Sequence, residues 1–314
     1  MAKVLSIVIP AYNEAEVIPE LIRRIQEVLE PYCKNVNISY EILFVNDGST
    51  DATSEILREY SQKYRYVQYI TLSRNFGHQA ALKAGLDFCN ADCVITMDAD
   101  LQHPPELLPI LLDKWNEGYE IVYTIRKEDK KLPLYKRLTS KYFYKIINFL
   151  SEIKLEEGTA DFRLLDKKVL KVIQDSKEYH LFLRGYISWL GFKQHRIEYE
   201  PHQRFAGQSK YTFKKMLQLA SKGIFSFSTK PLHLATLLGV IISLFSFFYA
   251  LYAIYLVLFT DKALPGWASV LISILFIGGI QLIVLGILGS YIGKIFMQSK
   301  NRPIYVIKET FFNS

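Results

Sequence analysis

The sequence predicts an α/β domain built on a parallel sheet, followed by a hairpin of two membrane helices. Three observations carry that prediction. Short apolar runs alternate with amphipathic stretches of helical period along the first part of the chain. Polar, chemistry-bearing residues cluster just after those runs, and beyond Pro231 two long apolar stretches follow almost without charge.

The first run, "VLSIVIP", is bounded by Pro10 and is too short for a signal peptide, so it predicts a strand and nothing that exports the domain. "EAEVIPELIRRIQEVLEPY" places Val17, Leu21, Ile25, Val28 and Leu29 near one face of a helix. The alternation continues with "YEILFVNDGST" as strand and turn, "DATSEILREYSQKY" as helix, "VQYITLS" as strand, "GHQAALKAGLDFCN" as helix and "CVITMDAD" as strand. In such sheets ligands bind beyond the carboxyl ends of the strands, and "PAYNE", "NDGSTD", "SRNFG" and "DADLQHP" all fall there. No G-x-G-x-x-G follows the first strand and no G-x-x-x-x-G-K-[ST] occurs, so dinucleotide and P-loop sites are excluded. Internal repeats and low-complexity segments are also missing from the sequence.

The chain has 314 residues, 50% of them hydrophobic, enough for one large domain or two smaller ones. Leu232 to Thr260 and Trp267 to Gly293 each exceed the roughly 20 apolar residues that cross a bilayer. One such run can be a buried core helix; two separated only by "DKALPG" predict a transmembrane hairpin. Lys214, Lys215, Lys222 and Lys230 precede it and Lys294, Lys300, Arg302 and Lys308 follow it, which places the large domain and both termini in the cytoplasm, against the inner (plasma) membrane. The expected division is a catalytic domain over 1–210, an amphipathic juxtamembrane helix over 211–230, the hairpin over 231–297 and a cytoplasmic tail over 298–314.

The net charge of +7 is compatible with nucleic acid, but its excess lies beside the hairpin, so anionic lipid heads are the expected partner and nucleic acid is not. Cys33, Cys89 and Cys93 are an odd number in a reducing compartment, and Cys89 and Cys93 lack a second pair at metal spacing; they read as buried thiols.

In "VITMDADLQHP", Asp98 and Asp100 stand two apart at the end of an apolar run, a spacing that puts both on one face of a strand. Like charges side by side need a cation. Mg²⁺ characteristically combines one or two carboxylates with waters and substrate phosphates, and Gln102 can add a carbonyl or fix a water. The plainer reading, an N-cap for "PPELLPILLDKW", needs only one Asp.

"SIVIPAYNE", "VNDGSTD", "SRNFG", "DADLQHPPE", "GTADFRLLD" and "RFAGQSKY" stand in the order found in family 2 glycosyltransferases of the dolichyl-phosphate mannose synthase type, which the chain resembles over about residues 4–220 and the paired helices. Within that group it looks most like bacterial undecaprenyl-phosphate glucosyltransferases. The resemblance implies a GT-A (Rossmann-like) fold and a metal, Mg²⁺ or Mn²⁺, held by Asp98, Asp100 and Gln102. It places Pro10, Tyr12, Glu14 and Asp47 around the nucleotide, with Tyr12 against the base or ribose. Many relatives carry Asp at Asn46, so the base contact is expected at Asp47, while Asn46 shapes the turn.

By the same resemblance Arg204 and Lys210 close over the diphosphate, where a planar fork and a point charge suit a phosphate lid; without it they read as a solvated basic loop. Asp161 belongs near the acceptor. A phosphate monoester with a second pKa of about 6 needs little proton abstraction, so Asp161 can orient the acceptor or contact sugar hydroxyls instead of acting as a strong base. Arg126, Arg137 and Arg163 are expected at the acceptor phosphate; Arg137 reads equally as an anchor of an interfacial helix rich in Tyr, Phe and Lys. His78 opens a helix beside the pocket and reads as structural, and Arg74 and Asn75 as organisers of their loop.

The implied activity is inverting transfer of a sugar, glucose first among candidates, from a UDP-sugar to undecaprenyl or another polyprenyl phosphate at the cytoplasmic face. Two alternatives differ in class. A processive polysaccharide synthase calls for more membrane helices and a Q-x-x-R-W signature, which this sequence does not contain. A nonenzymatic membrane scaffold has no need of Asp98, Asp100, Asp161, Arg204 and Lys210 together. Homo-oligomers packed through the membrane helices are a further expectation.

Overall fold

The structure is a computed structural model and describes residues 3–127, 148–149, 156, 158–179, 182–200, 228–259 and 266–312. The expected alternation is present: β1 (Lys3–Ala11), α1 (Ile18–Val36), β2 (Ile38–Asn46), α2 (Thr53–Lys63), β3 (Val67–Leu72), α3 (His78–Phe88) and β4 (Cys93–Thr96). A single 3₁₀ turn, Pro105–Leu107, leads into α4 (Leu108–Asn116), followed by β5 (Ile121–Arg126) and β6 (Thr159–Asp166). Two short helices, α5 (Lys167–Asp175) and α6 (Leu183–Trp189), precede β7 (Gln194–Tyr199).

β1 is buried from Leu5 to Ala11, as a central strand covered on both faces must be. Leu5, Ile7 and Ile9 enter the core shared with Leu21, Ile25 and Leu29 of α1. Val8 points to the other face, among Ala81 and Ala84 of α3. Gly85 lets α3 settle there, because a Cβ at that position would run into the Val8 and Val45 side chains. Each fully buried Leu or Ile of these faces contributes about 1.5–3 kcal/mol relative to exposure.

The strands form one eight-stranded sheet in the order β7-β5-β6-β4-β1-β2-β3-β8, where β8 is Ile307–Phe311. The parallel expectation holds for β3-β2-β1-β4, whereas β6 runs antiparallel to both β4 and β5, and β8 antiparallel to β3. From β1 the chain winds toward β2 and β3, then returns to β4 on the opposite side. That reversal opens a crevice at the carboxyl ends of β1 and β4.

Residues 298–314, expected as a tail, are not a free one where described. Ile307–Phe311 closes the β3 edge, with Phe311 stacked on Tyr69 at 5.8 Å and the Tyr69 hydroxyl donating to Glu309 at 2.7 Å. An edge strand of five residues pairs by backbone hydrogen bonds, and its half-apolar pattern carries little periodic signal.

α7 (Lys230–Phe259) and α8 (Trp267–Ser299) are the two apolar helices, and α8 runs six residues past the expected Gly293. Lys230–Leu256 and Ile272–Ser299 have mean hydropathies of 2.2 and 2.4, and none of their most apolar stretch is buried against the protein. Apolar length with no protein cover is what a bilayer-crossing hairpin requires. The juxtamembrane helix expected over 211–230 lies outside the described residues up to position 227.

Candidate active site

Three loops converge on the crevice. Asn13, in a left-handed conformation with φ 57°, accepts from the Thr50 N–H at 2.9 Å through its side chain and donates its own N–H to Ser49 Oγ at 3.0 Å. The Glu14 N–H reaches Thr53 Oγ1 at 3.1 Å. Pro10 is buried in the sheet opposite Val45, and Tyr12 emerges just past β1, 40% exposed at the rim. These bonds fix the expected nucleotide-pocket residues Pro10, Tyr12 and Glu14 on one side of the crevice.

Asp47 and Asn46 work inside this wall. The buried Asn46 donates to Ser54 Oγ at 2.7 Å and accepts from the Ser49 N–H at 2.9 Å, so it shapes the turn as expected. Asp47, the expected base contact, turns its two oxygens to the N–H groups of Phe76 (2.7 Å) and Gly77 (2.9 Å). Burial raises its pKa and those two backbone bonds oppose the rise. A buried carboxylate with each oxygen accepting from backbone holds the "SRNFG" loop in place, which is a supporting position and not an open face toward a base.

Gly48 is the close approach that lets these loops meet. It has φ 66°, and a Cβ there would lie 2.5 Å from the Arg74 carbonyl carbon and 2.8 Å from the Asn75 nitrogen. Both atoms are backbone and cannot swing aside. Gly48→Ala is expected to destabilise the protein by about 1–3 kcal/mol and lower activity at least tenfold; a thermal melt and a transfer assay within twofold of the parent would refute the tight crossing.

The carboxylate loop differs from a simple strand end. β4 stops at Thr96, so Asp98 and Asp100 are not placed by strand alternation. Instead Leu101 takes φ 58°, a left-handed conformation uncommon for a residue with this side chain, while remaining 2% exposed. The Gln102 N–H donates to Asp100 Oδ1 at 3.1 Å across that turn. His103, fully buried, accepts the Asp98 N–H at Nδ1 (3.0 Å), stacks on Phe162 at 5.1 Å and meets Arg126 Nη2 at 3.3 Å from its Nε2. Burial holds its pKa below the ordinary histidine value.

His78, which the sequence leaves as structural, lies against these carboxylates. Its Nε2 is 2.7 Å from Asp98 Oδ1 and its Nδ1 is 3.9 Å from Asp161 Oδ2. Partial loss of solvent opposes a charge on the ring, which is still 43% exposed, but Asp98 and then Asp161 prevail and raise its pKa to about 9. Reciprocally, burial pushes the Asp98 carboxyl up, and the imidazoles of His103 and His78 overcome it and hold it well below the usual range.

Asp161 enters from β6, fixed by Thr96 Oγ1, which donates to its carbonyl at 2.6 Å. Gly158, with φ 75°, keeps the start of this segment close to Arg126, whose carbonyl oxygen would be 2.8 Å from an added Cβ. The Asp161 side chain is 5% exposed and is gripped by Arg184 of α6, Nε to Oδ1 and Nη2 to Oδ2, both at 2.8 Å. Arg163 adds a contact at 3.3 Å. Burial alone would raise the Asp161 carboxyl; Arg184 and Arg163 hold it far below the usual carboxylate range.

Arg163, expected at the acceptor phosphate, is as buried as Asp161 beside it. It is 4% exposed and donates to the Ala160 carbonyl at 2.9 Å, and burial lowers its pKa to about 10. Arg126 does stand at the crevice, anchored by Tyr199 Oη at 3.0 Å from its Nε. Arg137, Arg204 and Lys210 lie outside the described residues. Arg184 escaped the sequence reading, since "LFLRGYISW" carries no motif and its partner is 23 positions away.

The donor set at the carboxylate turn suits a hard divalent cation. Two carboxylates and a carboxamide oxygen would supply part of an oxygen shell and leave positions for phosphate and water. Asp98 already draws a positive group, His78, onto one oxygen. Among the described residues no three His, Cys, Asp or Glu side chains group as a metal site.

A Rossmann-like sheet with an acidic turn at its switch point and two apolar helices behind it defines a GT-A catalytic domain with a candidate membrane hairpin. The chain belongs to glycosyl transferase family 2, whose model matches residues 6–174. Over 306 residues it is 44% identical to the uncharacterized glycosyltransferase YkcC of Bacillus subtilis, covering 98% of this chain and 94% of that protein. It is 41% identical over 308 residues to the SfII prophage-derived bactoprenol glucosyl transferase of Shigella flexneri, covering 98% of each. The prophage bactoprenol glucosyl transferase homolog of Escherichia coli K12 is 40% identical, over 97% of this chain and 98% of that one. Membership supports glycosyl transfer as the chemistry of the crevice.

Proposed function

We propose that the chain transfers a sugar, glucose first among candidates, from a UDP-sugar to a polyprenyl phosphate such as undecaprenyl phosphate at the cytoplasmic membrane face, giving a polyprenyl-phosphate sugar and UDP. The observation that carries this reading is that the similarity to a bactoprenol glucosyl transferase spans 98% of the chain, hairpin included, and not the catalytic sheet alone. The hairpin would cross the inner (plasma) membrane, with both termini cytoplasmic according to the basic residues that flank it.

In this reading an acceptor phosphate oxygen attacks the anomeric carbon as the bond to the departing diphosphate breaks, inverting that carbon. Tyr12 offers its exposed ring to the nucleotide, and the loop held by Asp47 forms the wall beside it. Asp98, Asp100 and Gln102 would hold Mg²⁺ or Mn²⁺, which when bound neutralises charge on the diphosphate. Arg126, which meets His103 of the same turn, would contact the acceptor phosphate, and Arg204 and Lys210 are retained as the proposed lid.

Asp161 serves orientation in this scheme. A carboxyl held so far below its usual range is a poor proton acceptor, and a phosphate dianion has no proton to give up. Its pairing with Arg184 presents a fixed charge that can align sugar hydroxyls or the acceptor.

The test is transfer of radiolabelled sugar from UDP-glucose to undecaprenyl phosphate by the purified chain, with Mg²⁺ or Mn²⁺ and with chelator. Label is expected in the lipid phase only with metal, falling at least about a hundredfold on chelation. Chelator-resistant label would refute the metal. Failure with every nucleotide sugar and lipid would favour the scaffold.

A further inference from the structure

We infer that a cavity on the flank of the catalytic domain, between α3, the segment after α5 and the exit of α8, binds the phosphate-bearing headgroup of an anionic phospholipid. The cavity has a volume of about 560 Å³, enough for a glycerophosphate headgroup with its waters. It is separate from the crevice, its α3 contribution being Lys83 and Asp87 rather than the His78 end of that helix.

Its lining is cationic. Lys83, Lys177 and Arg302 face it against one carboxylate, Asp87. Lys83 is buried, paired with Asp87 and bonded to the Gln174 carbonyl at 3.3 Å, while the Tyr305 hydroxyl donates to the other Asp87 oxygen at 2.8 Å. Asp87 is thus neutralised by Lys83 and hydrogen-bonded by Tyr305. Lys177 and Arg302 have no ion-pair partner among the described residues, which leaves two cationic heads for an anion of phosphate type.

The position of the cavity selects a lipid as the source of that phosphate. Gln298 lies five residues beyond Gly293, about 7.5 Å along a helix rising 1.5 Å per residue. The polar layer of a bilayer is about 5–7.5 Å deep on each side, so the cavity mouth stands in the outer part of the headgroup layer, and deeper in it if the helix tilts. Gln298 also ties the helix to the domain, donating from Nε2 to the Lys177 carbonyl and accepting the Tyr179 N–H at Oε1, both at 2.8 Å. A headgroup seated there contacts the membrane helix exit and the catalytic domain at once.

This inference rests on the membrane reading above. The full chain is reconstituted in vesicles of mixed phosphatidylglycerol and phosphatidylcholine, and the lipid that stays bound after release is measured by native mass spectrometry. Preferential retention of one phosphatidylglycerol is expected, lost at least about tenfold in Lys177→Glu/Arg302→Glu. Lys300→Glu, in the same headgroup layer but outside the cavity, should keep it. Equal loss in both variants, or loss in neither, overturns the site, as does displacement of the lipid by inorganic phosphate, which would make free phosphate the ligand. Transfer activity in detergent checks that the double variant is folded. Carbonate extraction of the vesicles separates the two readings: release of the protein sinks the membrane reading and this inference with it, whereas a retained protein without lipid preference sinks the inference alone.

Discussion

Asp100→Asn is expected to lower sugar transfer about 10²–10³-fold while leaving the melting midpoint unchanged. The substitution keeps shape and keeps an oxygen to accept the Gln102 N–H at 3.1 Å, so the turn should persist. It removes the negative charge, which is what a divalent cation needs from this position. Asp98→Asn makes a useful contrast, because it also breaks the 2.7 Å pairing with His78 and should cost stability as well as rate. Single-turnover transfer measured beside a thermal melt separates the two effects. A near-normal rate for Asp100→Asn would remove the metal from its proposed place.

The second large effect is expected at Arg184. Arg184→Met takes away two 2.8 Å hydrogen bonds and leaves Asp161, 5% exposed, with only the 3.3 Å contact to Arg163 as an ion pair to an arginine. Breaking a buried pair from one side costs up to about 3–5 kcal/mol, and less here because Arg163 and His78 still face the carboxylate. The fold should therefore melt several degrees lower, and transfer should fall with the loss of Asp161 alignment. Asp161→Asn combined with Arg184→Met removes both charges of that pair but leaves the buried Arg163 without its carboxylate, so it should recover only part of the stability and none of the rate. If the double variant is no more stable than Arg184→Met alone, the pair does not carry the load assigned to it.

These two sites differ in how legible they were. The Asp98/Asp100/Gln102 cluster stands in five consecutive residues after an apolar run, so spacing and resemblance both pointed to it. Its geometry was not readable: alternation along a strand does not apply past Thr96, and the left-handed Leu101 arranges the turn instead. Asp161 was recognisable in "GTADF", but its partner comes from another helix and carries no motif. Arg163 was drawn toward the acceptor by its place in that motif. Two residues apart on β6, it and Asp161 share a face, and that face turns inward. Asp47 likewise stands in a recognisable turn, yet its carboxylate is occupied by the loop after β3.

By itself the sequence determined the alternation of strands and helices through β4, the gathering of polar loops at one end of the sheet, the acidic turn and the two apolar helices. Each of these is local, written in a period of two or 3.6 residues, in a turn residue or in an apolar length. The tertiary structure decided the antiparallel placement of β6, the return of the chain as β8, the inward turn of Arg163 and the grip of Arg184 on Asp161. Those depend on which distant segments share a sheet edge or a low-dielectric pocket. A buried charge takes the nearest complementary partner that packing brings to it, and the distance along the chain does not enter that energy.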